Sequence, residues 1–319
     1  MIGQSEGFKV NVHGIEHSLE VVPSLNVSTM KQLDEFRAHD SQITCMIQLI
    51  DGRVATCSHD SYVKIFTADD FEVVMKVKAH DNALMNLYQT KKGILLTSSC
   101  DTTIKMWEVK EEDLNFIGVL KGHTKWVMKA IEISDEVLAS CSEDKTVKIW
   151  DINTKECIKT IEGFKGNCNN VHKMKNLKTL VVFSGDKVCT FFDIANEYKQ
   201  LSKIDNVYCY LHNSLLEIDN DRLIIGGYND ITIIDCKQFS VITKLQDEYL
   251  SYVASIIKVN KDDIIFGCYT KFYQVDLKTM KCIGKRDEVH DTVVTGMLCL
   301  DNNKKLVSCS NRSIKIWGN

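Results

Sequence analysis

The sequence predicts an all-β protein assembled by repetition, and three observations carry that reading. The first is a fixed interval: His39 precedes Phe66, His80 precedes Trp107, His123 precedes Trp150 and His290 precedes Trp317, each by 27 positions. The second is the spacing of that closing slot along the chain. Phe66, Trp107, Trp150, Phe192, Ile234, Val275 and Trp317 follow one another at intervals of 41, 43, 42, 42, 41 and 42 residues, which makes seven repeats. The third is the interior of each repeat, where short apolar runs alternate with turn signals such as Ser142–Lys145. A period of roughly 40 residues built from four strands marks a propeller blade. The expectation is a single seven-bladed β-propeller of four-stranded antiparallel blades.

Residues 1–27 form an N-terminal extension that holds the only proline, Pro23, and one short strand in which Phe8, Val10 and Val12 alternate with polar residues. The propeller is assigned to 28–319. Met30–His39, MKQLDEFRAH, reads as one strand leading to a turn at the histidine, and three further strands follow before Phe66. The first hairpin of a repeat turns at Asp51-Gly52, Lys92-Gly93, Asn220-Asp221, Asp262-Asp263 or Asn302-Asn303, and the second turns near Asp60, Asp101 or Asp144. Repeats four to six lack the opening histidine, and the second hairpins of repeats four, five and seven read one residue short. Each repeat supplies the outermost strand of one blade and the inner three of the next. Met30–Phe36 is then an orphan at the start and the last blade is one strand short, so pairing of the N- and C-terminal strands closes the ring and removes two open edges. Runs such as LLTSS and LVVFS are apolar on both faces, as expected where each sheet packs between two neighbours.

The repeat at Lys121–Asp151 opens with Gly122-His123 and closes with Trp150-Asp151. It resembles the WD-repeat family of β-propellers, whose repeats open and close with those pairs, and it is the one repeat that keeps both letter for letter. The resemblance implies the interleaved closure described above. It also implies a structural tetrad of His123, Ser140, Asp144 and Trp150, repeated as His39, Thr56, Asp60, Phe66 and as His80, Thr97, Asp101, Trp107. By type alone these are Ser-His-Asp hydrolase triads. An active site is built once and needs an exposed nucleophile, whereas these types recur blade after blade, so the structural reading is preferred. A sialidase-like S-x-D-x-G-x-T-W repeat fails after Ser142-Glu143-Asp144, and no Walker loop, G-x-S-x-G elbow or H-E-x-x-H occurs. No catalytic residue, metal ligand or cofactor site is expected. Thirteen cysteines contain no C-x-x-C, and Cys57, Cys141 and Cys309 share one slot as small buried apolar residues of a reducing compartment.

A net charge of −4 gives no general attraction to nucleic acid, and no apolar run nears the ~20 residues a membrane helix needs. Residues Met1–Asn26 lack the basic start and apolar core of a secretory signal. The expected location is the cytoplasm, with the nucleus as the alternative. The function expected is a non-catalytic, monomeric scaffold that binds partner proteins or peptides on the propeller rim and channel mouth. Residues three after each histidine fall on that rim (Gln42, Ala83, Trp126, Val293), as do those before each turn aspartate (His59, Cys100, Glu143); Trp126 stands out as an anchor type. The alternative is the substrate-recognition subunit of a ubiquitin ligase, which carries W-D-x-R. Trp150-Asp151-Ile152-Asn153 lacks that arginine, and no F-box-like helical region fits in the 27 residues ahead of the repeats. A propeller hydrolase with an unrecognised site ranks third.

Overall fold

The repeats fold into seven four-stranded antiparallel sheets in a computed structural model, which describes residues 25–209, 211, 213–246, 251–300 and 304–318. The strand read at Phe8, Val10 and Val12 and the turn at Asn302-Asn303 lie outside the described residues. Blades one to six span 43–78, 84–120, 127–161, 168–205, 215–246 and 253–286, each in simple up-and-down order from the inner strand outward. Blade seven takes Val294–Leu300, Lys305–Ser310 and Ser313–Gly318 from the end of the chain and its fourth strand, Lys31–Arg37, from the beginning. Lys31 lies opposite Gly318 and Arg37 opposite Ser313, so the predicted closure is present rung by rung.

Seven apolar clusters hold the ring, one at each junction between neighbouring blades. In every cluster the closing-slot residue of one blade packs on the blade before it. Trp150, for example, sits with Leu96, Ile104, Met106 and Leu120 of blade two, and Phe192 with Ile149 and Val147 of blade three. This explains the regular spacing of that slot. Sheets that twist apart towards the periphery leave a wedge, and one bulky apolar side chain per repeat fills it.

The outermost strand of each blade pays attention to the same slot by adding a residue. Opposite Phe66, Trp107, Trp150, Phe192, Ile234, Val275 and Trp317 the ladder slips, leaving Val74, Ile117, Ile158, Leu201, Ile242, Ile283 and Leu33 as bulged residues. All seven are aliphatic and exposed. The bulge twists each outer edge away from a straight, pairable ladder.

The hairpin between second and third strands is one residue shorter in blades five, six and seven (Leu223 opposite Ile234, Ile264 opposite Val275, Leu306 opposite Trp317) than in blades one to four (for example Leu180 opposite Phe192). This corrects the expectation that repeat four is shortened and repeat six is not. Blade four has lost nothing: its hairpin has the full length, and Asp186 stands six residues before Phe192, as Asp144 does before Trp150. Ahead of Lys31, Leu25, Val27 and Met30 fill the junction of blades six and seven. The Gln274 amide accepts from the Val27 N–H and donates to the Leu25 carbonyl, both at 3.1 Å.

Removal of residues 1–24 should therefore leave the melting temperature nearly unchanged. Removal through Arg37 strips both the fourth strand of blade seven and the Leu25–Met30 packing. It should lower the melting temperature by at least about 5 °C and promote aggregation through the bare Ser313–Gly318 edge. Equal melting curves for the two truncations would show that the ends do not hold the ring.

Candidate functional site

The turns on the histidine side of the propeller are built by one device, seen complete in blades two and three. Trp150 Nε1 donates to Ser140 Oγ at 2.8 Å, Ser140 lies 2.7 Å from His123 Nε2, and His123 Nδ1 lies 2.7 Å from Asp144 Oδ2. One tautomer completes this chain: the hydroxyl donates to Nε2 and Nδ1–H donates to the carboxylate. Trp107, Thr97, His80 and Asp101 repeat it at 3.0, 2.7 and 2.7 Å. In blade one Phe66 has no N–H, so His39 joins only Thr56 (2.8 Å) and Asp60 (2.9 Å). The other carboxylate oxygen of each aspartate accepts the N–H two residues on, at Tyr62, Thr103 and Thr146. That contact shapes a turn whose next residue, Ser61, Thr102 or Lys145, takes the left-handed conformation. Burial works against ionisation of Asp144, but hydrogen bonds from Thr146 and His123 outweigh it and hold the carboxyl below its usual range. Asp60 is likewise held down, to about 2, where burial is outweighed by the His39 contact.

Thr56, Thr97 and Ser140 are completely buried, so none presents a hydroxyl to a substrate. The triad-like sets are positioning devices for the turns. A fourth, which lacks the aspartate, stands in blade seven: Trp317 Nε1 donates to Ser308 Oγ at 2.8 Å and His290 Nε2 lies 2.7 Å from the same oxygen. Asn311 occupies the shortened turn there. With burial and the neighbouring Lys315 both opposing its charge, His290 is pushed down to about 3. The cysteines also behave as packing residues: Cys57, Cys141 and Cys309 are buried, and burial raises all three thiols.

The device places the rim. In three blades it brings the two predicted rim slots side by side, the N–H of one donating to the carbonyl of the other: His59 to Gln42, Cys100 to Ala83 and Glu143 to Trp126. Trp126 is 47% exposed, so its indole faces solvent. Gln42 and His59 are exposed, Ala83, Glu143 and Val293 are half-buried, and Cys100 is buried, which leaves its side chain unable to meet a partner. In blade six the same pairing joins Tyr269 to Tyr252, and the Tyr252 ring meets that of Tyr228 in blade five at 4.8 Å, edge to face. Tyr228 and Tyr269 are 53% and 47% exposed, so the rim carries an aromatic cluster besides Trp126. Beside it a shallow cavity of about 580 Å³ is lined by Tyr208, Tyr228 and Tyr252 and by a Lys244–Asp230 ion pair at 2.7 Å. These tyrosines were missed because register was counted from the histidines, which blades five and six lack. The signal available was an aromatic in the slot where other blades carry the turn polar residue.

One side chain reaches across the axis on this side. Asn213, in the loop entering blade five, donates to the Thr295 carbonyl of blade seven at 2.8 Å and meets Cys45 Sγ of blade one at 3.9 Å.

A ring of seven such sheets, with buried histidine–hydroxyl–aspartate devices ordering one set of turns, defines a repeat-built propeller whose polar sets are structural. The profile described as WD domain, G-beta repeat matches residues 30–67, 114–151 and 280–318, each an outer strand plus the inner three strands of the next blade. Those three stretches are WD repeats, and the chain is similar in fold and repeat pattern to the WD-repeat β-propellers. It is 32% identical over 83 residues to the DENN domain and WD repeat-containing protein SCD1 of Arabidopsis thaliana, and 23% identical over 86 residues to cell division control protein 4 of Saccharomyces cerevisiae. These matches take in 26% and 27% of this chain but only 7% and 11% of the relatives.

Two outcomes follow from the tetrads. Asp144→Ala should remove the His123 partner and the turn anchor together, destabilising the fold by about 1–3 kcal/mol in a denaturant titration. His290 responds to pH in a defined direction. Its folded pKa lies below the unfolded value near 6.5, so its contribution is fully present above that value and is lost as pH falls towards about 3. At pH 5 that is roughly 2 kcal/mol. His123 and His172, also depressed chiefly by burial, act in the same sense. The drop in melting temperature between pH 7.5 and pH 5 should shrink in His290→Gln; an unchanged drop would show that His290 does not titrate in this window.

Proposed function

We propose that this propeller is a non-catalytic platform that binds partner proteins or peptides on its histidine-side rim. The observation that carries the reading is Trp126: a large apolar ring, half exposed, in a slot where sister blades hold Gln42 and Ala83. The fold does not need an aromatic there, since the backbone bond to Glu143 is made by the carbonyl whatever the side chain. Aromatic residues anchor interfaces because they bury much area for little conformational entropy. The exposed Tyr228 and Tyr269 extend the same surface around the rim. Binding proteins through such a face is what WD-repeat propellers commonly do, and the buried state of every tetrad hydroxyl supports a role without catalysis.

Trp126→Ala should leave the melting temperature nearly unchanged while weakening a partner isolated with the wild-type chain by ~2 kcal/mol, about thirtyfold. Glu143→Lys should act mainly on the association rate, with an effect that fades as salt is raised. Calorimetric titration of that partner decides the matter: wild-type affinity in both variants would move the binding face elsewhere, and a markedly lower melting point in Trp126→Ala would assign the indole to packing.

A further inference from the structure

On the side away from the histidine turns, blades two, three and four enclose a cavity of about 530 Å³. Its walls descend the inner strands Val127–Ser134 and Cys168–Lys173 and end at the turns that follow them. Four lysines line it, Lys91, Lys129, Lys173 and Lys175, together with His172 and a single carboxylate, Glu132. That carboxylate is engaged, accepting the backbone N–H of Lys91 at 3.2 Å. Glu217, the next nearest acid, is only 4% exposed and is held by His172 Nε2 at 3.1 Å and the Lys175 N–H at 3.2 Å. Lys129 Nζ is held by Asn170 Oδ1 at 2.9 Å and burial works against its charge, so the surplus over the two acids rests on Lys91, Lys173 and Lys175. Among the described residues no carboxylate lies within ion-pair distance of the Lys91, Lys173 or Lys175 ammonium groups.

This excess is local. The whole chain is net negative by 4 charges, so four lysines around one recess do not reflect a basic protein. Tyr88, Ile131 and Ile133 add an apolar wall. The ionic groups are close enough to feel one another: Lys129 and Lys175 both disfavour protonation of His172, behind the larger effect of burial. A recess with low-dielectric walls focuses the field of such charges on whatever enters it. Its size suits a single small molecule. We propose that this cavity binds a small molecule carrying more than one phosphoryl group, its charged groups met by Lys91, Lys173 and Lys175 and its body resting on Tyr88 and the two isoleucines. Lysine ammonium groups are suited to this as mobile point charges with three donors each.

The test uses the full chain with two soluble probes, tripolyphosphate and inositol hexakisphosphate, titrated calorimetrically, and vesicles containing phosphatidylinositol 4,5-bisphosphate in a sedimentation assay. Lys91 and Lys175 are exposed, so the Lys91→Glu/Lys175→Glu double variant should keep its melting temperature. Lys187→Glu, on the histidine side, is the charge control. Saturable binding is expected for at least one probe, with affinity reduced at least about tenfold in the double variant and unchanged in the control. Capture of vesicles by the wild type but not the double variant would assign the phosphates to a lipid headgroup; binding of the soluble probes alone would assign them to a free metabolite. The proposal falls if nothing binds saturably, or if the double variant and the control bind equally well. Because the rim variant Trp126→Ala leaves this cavity untouched, failure here is separable from failure of the rim reading.

Discussion

The structure depends on one packing event repeated around the ring: a closing-slot side chain filling the wedge against the preceding blade. The device at the turns is secondary to it. Blades five and six keep the wedge with Ile234 and Val275 and have neither histidine nor tryptophan, while blade one keeps its histidine pair with Phe66. Volume is thus required everywhere and the indole N–H is not, since Thr56 lies buried in the Phe66 blade without one. Tryptophan serves both needs at Trp107, Trp150 and Trp317, where it fills the wedge and satisfies Thr97, Ser140 or Ser308. Where it is absent, the two needs separate and the sequence drifts.

That separation decides what was legible. The seven slots could be read because wedge filling tolerates several residue types but only one spacing, and the orphan strand at Lys31–Arg37 followed from counting strands against slots. Hairpin lengths in the later repeats were harder, since a missing residue shifts the aspartate register in the same way that a changed turn does. Blade six has lost a residue, whereas blade four keeps both its hairpin length and its aspartate, Asp186. The rim tyrosines escaped because their blades lack the histidine used as a ruler. The lysine-lined cavity was beyond reach for a different reason: its residues come from three blades, and none of its lysines is part of the repeat pattern.

The two faces of the ring have diverged in chemistry. One carries exposed rings around an axis crossed by Asn213, which links blades five, seven and one. The other opens into a recess with surplus positive charge. Because both faces are fixed by the same rigid inner strands, a ligand on one side and a protein on the other would be held at a constant separation, with no hinge between them.

Closure by a single added strand also sets how the ring responds to force. Lys31 and Gly318 sit opposite each other, so the chain enters and leaves blade seven at the same end of one antiparallel pair. Tension applied through the two ends peels that pair open one rung at a time instead of shearing all its hydrogen bonds together. The Gln274 clasp on Leu25 and Val27 lies ahead of the first rung, on the neighbouring blade. It must be pulled out before peeling begins, which makes a short buried segment the mechanical latch of the whole ring.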